Sequence, residues 1–179
     1  SDAAVPLKVV VRRQKLRSLL AGGGLELDAV RTNAHLRVGW EHRNLFGGFR
    51  HFTLDFRPGV DLYPTRLPDF EEPTQLLVAE RFRAELRQPG FLEARTNGVI
   101  AQELNIYPVL LASKVDPEAP VVGYVEYRGS VGLDRTLWKL FVASSYNLQW
   151  NSPFTYRGEL DSDLRRVVVS YVDLLAHFD

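Results

Sequence analysis

Residues 138–150 alternate between two kinds of side chain over an unusually long stretch. The even positions, from Trp138 to Trp150, are apolar, aromatic or small, and the odd positions include Lys139 and Gln149. This period of two predicts a β-strand with one apolar and one polar face. A strand of this length, tilted by about 40°, would span roughly the 30 Å hydrocarbon core of a bilayer. A long strand in a soluble sandwich or barrel explains this one segment equally well.

The same alternation recurs along the chain and predicts an all-β protein. Segment 74–88 is rich in helix formers, but Phe82, Ala84 and Leu86 alternate with charged residues, so we favour a strand over a helix. About eight strands are predicted, at residues 15–28, 34–44, 49–62, 74–88, 94–107, 120–131, 136–151 and 164–178.

The predicted connections between these strands alternate in length. Short connections are predicted at 45–48, 89–92 and 132–135, and long ones at 58–73, 108–119 and 152–163. Tight turns on one rim and long loops on the other are typical of antiparallel up-and-down transmembrane β-barrels. Strands of a soluble sandwich are usually shorter and have no reason to sort their loops in this way. We therefore expect a membrane barrel, with tryptophans at the water interfaces as an aromatic girdle: Trp40, Trp138 and Trp150.

Composition narrows the function classes. Lysine and arginine together number 22, as do aspartate and glutamate, so charge does not indicate a nucleic-acid partner. No run approaches the roughly 20 apolar residues of a membrane helix. The four histidines lack metal-ligand spacing, and no nucleophile elbow or phosphate-binding loop occurs. The sequence therefore predicts no enzyme, no catalytic or metal site and no cofactor.

Charged residues of both signs fall on the predicted polar faces. Water-filled barrels carry such side chains in their lumen, where ion pairing between strands is favoured over a selectivity filter. The predicted lumen residues are Arg37, Glu41, Asp55, Arg57, Arg81, Arg83, Glu85, Arg87, Glu126 and Arg128.

Two motifs resemble those of one membrane-protein family. A glycine-rich strand at 20–28 precedes a strand that ends in Glu-x-x-Asn-Leu-Phe-Gly-Gly. This pattern resembles the barrel entry of the outer-membrane assembly and translocation superfamily, the BamA/TamA-like or bacterial surface antigen barrels. The residues of this turn motif are Glu41, Asn44, Leu45, Phe46, Gly47 and Gly48.

The resemblance implies how the chain is organised. Residues 1–14 would end a preceding periplasmic POTRA-like domain, and residues 15–179 would form the amino-terminal half of a sixteen-stranded barrel, truncated at its carboxy-terminal end. The Val-Arg-Gly-Phe loop and the closing strand of the family have no counterpart here. The motif match covers only about residues 9–57.

The resemblance also implies a function in the bacterial or organellar outer membrane, namely insertion or export of client β-proteins. Its partners would be the lipid bilayer, unfolded outer-membrane clients and periplasmic or lipoprotein accessory subunits. The first strand would be a lateral gate weakened by glycine, with gate residues Gly22, Gly23, Gly24, Leu25 and Glu26. The glycines could instead make room for bulky neighbours or a bulge. A passive outer-membrane pore and a soluble ligand-binding barrel remain alternatives.

Overall fold

The computed structural model of the chain describes residues 15–28, 30–65, 72–110 and 120–178. The predicted POTRA-like segment, residues 1–14, lies outside these ranges. Eight strands form: β1 (Arg17–Leu27), β2 (Thr32–His42), β3 (His51–Tyr63), β4 (Gln75–Gln88), β5 (Thr96–Val109), β6 (Val121–Leu137), β7 (Leu140–Arg157) and β8 (Val167–Phe178). In the described ranges, no helix has the length and apolarity needed to cross a membrane.

The strands form one antiparallel sheet in the order β1-β2-β3-β4-β5-β6-β7-β8. The predicted all-β, up-and-down architecture is therefore confirmed, and segment 75–88 is a strand. Among the described residues, β1 pairs only with β2, and β8 pairs only with β7. The sheet is thus open at both edges, and its closure within a larger transmembrane barrel stays a prediction.

The connections sort onto two rims, but their bounds differ from the prediction: β3 runs to Tyr63, so part of the predicted loop 58–73 is strand, and two of the short connections are longer than predicted. The short-turn rim contains residues 43–50, 89–95 and 138–139. The long-loop rim is the opposite one, where β1 ends and β2 begins, β3 ends and β4 begins, β5 ends and β6 begins, and β7 ends and β8 begins.

Two predicted boundaries in the second half of the sheet are wrong. Residues 132–135 are not a turn, because β6 continues through them to Leu137 and the hairpin turn is Trp138-Lys139. Gly132 is required by close strand packing, since a Cβ there would lie 2.7 Å from the Ser144 carbonyl oxygen. At its other end β7 continues past the predicted end at residue 151 to Arg157, so part of the predicted loop 152–163 is strand.

The sheet has two chemically different faces. The pairing register places every predicted lumen residue on one side, which we call the polar face. The opposite side, the apolar face, exposes 76% of Leu25 and 79% of Leu174. By contrast, Asp61 and Asp134 on the polar face are 0% and 6% exposed. These two carboxylates are therefore better buried than the leucines of the opposite face, which is the reverse of a soluble sheet, whereas arginines of the polar face such as Arg81 are half-exposed.

Buried apolar residues are few and lie at the long-loop rim. Among the described residues, Tyr63, Leu77 and Val121 form the only buried hydrophobic cluster, and Tyr156 packs against it. The Tyr156 hydroxyl donates a hydrogen bond to the Val78 carbonyl oxygen. Val78 lies just before the part of β4 that pairs with β5. The tyrosine therefore supplies the Val78 carbonyl oxygen with a donor that β5 does not supply. This cluster ties β3, β4, β6 and β7 together at one rim.

Candidate functional site

The polar face carries an ion-paired belt that begins on β2 and β3. Asp55 accepts hydrogen bonds from Arg37 Nε at 2.6 Å and from Arg57 Nε at 2.9 Å. Both arginines were predicted as lumen residues, and the structure brings them together on one carboxylate. Two guanidinium groups on one carboxylate leave local positive charge on this part of the face.

Glu103 continues the belt between β4 and β5. Its carboxylate lies 2.8 Å from Arg81 Nη2 and 3.7 Å from Arg83 Nη1. Arg83 also pairs with Glu85, at 2.9 Å. Glu103 was missed as a lumen residue, because alternation in 94–107 is mixed and assigns it to neither face. Its position opposite Arg83 in the sheet register identifies it as part of the belt.

A buried carboxylate links β4, β5 and β6. Asp134 pairs with Arg87 of β4 and accepts a hydrogen bond from Asn97 Nδ2 at 2.6 Å. This pairing reaches across β5 and fixes three strands at once. Asp134 was missed because residues 132–135 were predicted to be a turn.

Polar groups continue the belt onto β7. Glu126 accepts hydrogen bonds from Asn105 Nδ2 at 3.3 Å and from Gln149 Nε2 at 3.2 Å. Arg128 lies 3.5 Å from the same carboxylate. On the far side Asn147 Nδ2 donates to Asp173 at 3.0 Å, so the network reaches β8.

A separate clamp holds the long-loop rim. The buried Asp61 carboxylate accepts from Arg31 Nη1 at 2.6 Å and from Asn33 Nδ2 at 2.7 Å. Asp28 positions Arg31 by accepting the Val30 and Arg31 N–H groups, at 2.6 and 2.9 Å. Partial burial raises the pKa of Asp28, but these two N–H groups and the Arg31 charge together hold it below its usual value. The turn thus stabilises the fold near neutral pH and loses that contribution as the pH falls through the lowered pKa.

Together these groups line a polar, water-accessible surface. A cleft of about 430 Å³ on the polar face is lined by Arg31, Arg57, Arg81, Glu103 and Glu126, among others. Among the described residues, no group of three or more histidine, aspartate or glutamate side chains could hold a metal ion. Most charges of the belt have an opposite partner within the sheet. The arrangement is suited to hydrating a lumen and holding strands in register.

The predicted gate strand is the free edge β1. Its pairing with β2 runs without a bulge from Arg17 to Leu27, which excludes the bulge interpretation of the glycines. A Cβ at Gly24 would lie 2.9 Å from His35 Nε2, so this glycine makes room for the imidazole ring. A Cβ at Gly22 would meet nothing within 4 Å, and one at Gly23 would make ordinary contacts at 3.4 Å. Packing therefore explains one of the three glycines. Leu25 and Glu26, the other predicted gate residues, lie on the same edge strand.

The predicted turn motif is a structured part of the short-turn rim. Asn44 Oδ1 accepts the Phe49 N–H at 2.9 Å, and Leu45 N–H donates to the Arg50 carbonyl at 2.9 Å. Gly47 and Gly48 have φ values of 80° and 68°, as predicted for glycines in a tight turn.

Two other members of the motif have different surroundings. Glu41 accepts hydrogen bonds from Ser18, Arg43 and His51, at 2.8, 2.9 and 2.8 Å. It therefore ties the start of β1 to the rim. Phe46, also at positive φ, is 87% exposed at the tip of the turn, so it packs against little within the described residues.

The three predicted girdle residues occupy different positions. Trp40 lies near the end of β2, where its ring makes edge contacts with Phe52 at 5.6 Å. Trp138 is in the β6–β7 turn and is 83% exposed. Trp150 lies inside β7 rather than at its end, with the Arg166 guanidinium 6.0 Å from its ring centroid. Their position relative to a membrane stays a prediction.

Comparison with protein-family models, curated proteins and solved structures finds no match. The resemblance to the outer-membrane assembly and translocation superfamily therefore rests on the motif residues alone.

Proposed function

We propose that this chain forms part of an outer-membrane β-barrel that inserts or exports client β-proteins through the edge strand β1. The observation that carries the proposal is the inverted distribution of burial. Hydrophobic side chains such as Leu25, Leu36 and Leu174 are exposed on one face. On the other face Asp61, Asp134 and Asn147 are buried and paired.

A hydrocarbon environment would favour this arrangement of exposed apolar side chains and buried polar ones. A soluble sheet buries its apolar face under a second layer, and no second layer covers this face among the described residues. Contact with lipid tails would remove the cost of exposing the apolar face. The paired charges of the polar face would border water inside the barrel, as in known outer-membrane proteins.

The free edge of β1 supports the assembly function. An unpaired strand offers its N–H and C=O groups to an incoming chain, which is β-augmentation. Within a membrane these groups must be satisfied, so a client strand there would gain backbone hydrogen bonds. Gly22 and Gly23 weaken β1 without a packing reason, and a weak strand opens and exchanges partners more readily.

Stiffening β1 tests this proposal. We expect the Gly22→Val/Gly23→Val protein to fold, because both positions have room for a Cβ. Valine favours the strand, so the seam should open less often and assembly should slow several-fold. The measurement is the folding rate of a small unfolded outer-membrane barrel added to vesicles that contain the purified full-length protein, followed by heat-modifiable gel mobility.

The matched control is Gly129→Val on the interior strand β6, where a Cβ would also meet its nearest neighbour at 3.4 Å. This variant should assemble clients like the native protein. Equal client folding by all three proteins would rule out β1 as the template.

A passive pore is the second candidate, and the polar cleft of about 430 Å³ favours it. A pore would give single-channel conductance and would not accelerate client folding. The soluble-barrel alternative predicts a protein that purifies without detergent. The exposed apolar face argues against this alternative, because water would then contact that face.

A further inference from the structure

Arginines cluster on the polar face at the end of the sheet that carries β1. A cleft of about 510 Å³ lies there, and the described residues that line it include four arginines and two carboxylates. The arginines are Arg37, Arg57, Arg81 and Arg83, and the carboxylates are Glu41 and Asp55. This part of the polar face therefore carries more positive than negative charge.

Three of these arginines stand side by side in one cross-strand row. Arg57 lies directly opposite Arg81, and the register of β2 with β3 places Arg37 beside Arg57. Like charges in such positions repel each other. Asp55 accepts a hydrogen bond from Arg37 Nε and another from Arg57 Nε, so one carboxylate serves two guanidinium groups. Asp55 therefore does not neutralise both arginines.

Arg37 is the member of this row that lies next to the free edge strand. Its side chain is 44% exposed, and the residue opposite it on β1 is Gly22. The β1 residues in the two neighbouring rows of the polar face are Leu20 and Gly24. None of these three residues has a side chain that accepts a hydrogen bond. The adjacent part of β1 therefore supplies Arg37 with no side-chain acceptor.

Gly22 leaves a gap in the polar face between Arg37 and the free edge. A Cβ at Gly22 would meet no atom within 4 Å. A Cβ at Gly24 would instead lie 2.9 Å from His35 Nε2, so the space beside that glycine is filled. Of the two glycines that β1 places on the polar face, only Gly22 has open space beside it.

A strand added to the free edge of β1 would bring a side chain to this gap. Residues paired across strands share a face, so the client residue paired with Gly22 would project from the polar face. Its Cα would lie two strand spacings, roughly 10 Å, from that of Arg37. A glutamate at this position could reach the guanidinium group across the glycine, because both side chains are long and no Cβ stands between them.

We propose that Arg37 and Gly22 select client strands that carry an acidic residue at the position paired with Gly22. This inference rests on the proposed function, because it concerns the strand that pairs with β1. The client carboxylate would pair with Arg37 at a half-exposed site, where ion pairs are weak. The expected preference for an acidic over a neutral residue is therefore roughly threefold to fivefold.

Photo-crosslinking of strand peptides to the full-length protein in detergent micelles tests this proposal. A photo-crosslinking amino acid in place of Ala21 lies on β1 but on the apolar face, away from Arg37. The probes are two peptides of about ten residues, the length of a membrane strand, that alternate valine with glutamine. One of them has glutamate instead of glutamine at its central polar position. We expect this peptide to be captured more than the other, by the factor given above.

Two matched pairs of variants separate the proposed contact from other effects. Arg37→Gln should capture both peptides equally. Arg57→Gln removes the same charge and the same kind of contact with Asp55, but one strand further from the edge, and should keep the preference. Gly22→Val should reduce the preference by filling the gap. Gly23→Val stiffens β1 from the apolar face and should keep it.

Equal capture of the two peptides by the native protein, or a preference that survives Arg37→Gln, would overturn the proposal. Equal losses of the preference in Arg37→Gln and Arg57→Gln would overturn it too, because general attraction by the cationic cleft would then explain the result. If the native protein captures both peptides equally, only the acidic preference is wrong and β1 still accepts client strands. If it captures neither peptide, the proposed function of β1 is wrong as well.

Discussion

At the scale of single residues, carboxylates on the polar face are buried only where neighbouring strands supply donors. Asp61 is fully buried, and its carboxylate accepts hydrogen bonds from Arg31 and Asn33. Asp134 pairs with Arg87 and accepts a hydrogen bond from Asn97. An ionised carboxylate removed from water without partners would be unfavourable by several kcal/mol. These contacts therefore hold the strands in register as well as satisfying the charge.

The clamp at Asp61 gives a prediction about stability. Arg31→Met should lower the free energy of unfolding by about 2–3 kcal/mol, because it leaves a buried carboxylate without its cation. Urea unfolding in detergent micelles measures this change. The control is Arg83→Met, which removes a half-exposed cation that pairs with Glu85 and lies 3.7 Å from Glu103. It should cost under about 1 kcal/mol, because Glu103 keeps its closer partner Arg81. Equal losses of unfolding free energy in the two variants would show that the Asp61 clamp stabilises the fold no more than a half-exposed ion pair does.

The glycines of β1 are predicted to differ from one another. Gly24→Val should push the His35 ring away and break its 2.9 Å contact with Asn33, and should cost about 1–2 kcal/mol. Gly22→Val should be neutral or stabilising by up to about 1 kcal/mol, because the site is open and valine favours a strand. Thermal unfolding of the two variants in micelles distinguishes them. The reverse order would contradict the proposed role of Gly24.

At the scale of elements, all eight strands were predicted, although alternation is mixed in 94–107 and gives no side for 164–178. The ends of β6 and β7 depended on contacts between strands. Gly132 and Asp134 look like turn residues in the sequence. In the fold Gly132 permits close approach to β7, and Asp134 pairs with Arg87 two strands away. The true turn contains Trp138 at a φ of 56°, a conformation that tryptophan rarely adopts and that its sequence does not indicate.

The β6–β7 contact gives a second stability prediction. Gly132→Ala should cost about 1–3 kcal/mol, because its Cβ would meet backbone atoms of β7 that cannot move aside alone. Gly129→Ala on the same strand should change stability by less than about 0.5 kcal/mol, since its nearest neighbour lies at 3.4 Å. Urea midpoints of the two variants test this difference. A tolerated alanine at residue 132 would favour a turn at 132–135 over the close strand packing described above.

Part of the candidate site was predictable from the alternation of side chains within single strands. Residues that share parity within a strand share a face, so the sequence alone groups Arg37, Asp55 and Arg57 as polar-face residues. Glu103 and Asp61 could not be linked to their partners, because pairing depends on register between strands. Whether β1 acts as a gate depends on what pairs with its free edge, which local pattern does not encode.

At the scale of the whole molecule, the sheet combines an exposed apolar face, a paired polar face and two edges that have no partner strand among the described residues. An open sheet of this kind would aggregate through its edges and its apolar face in water. In a bilayer the apolar face would contact lipid, and the edges would require partner strands. Membrane location is thus the claim on which the proposed assembly function depends.

Spin labels at the neighbouring residues Ser130 and Val131 test this claim most directly. The two side chains lie on opposite faces of β6, with Val131 exposed on the apolar face. In vesicles that contain the full-length protein, we expect oxygen to relax the label at residue 131 and a water-soluble nickel chelate to relax the label at residue 130. Shielding of residue 131 from oxygen, or equal access of the nickel chelate to both labels, would contradict the account.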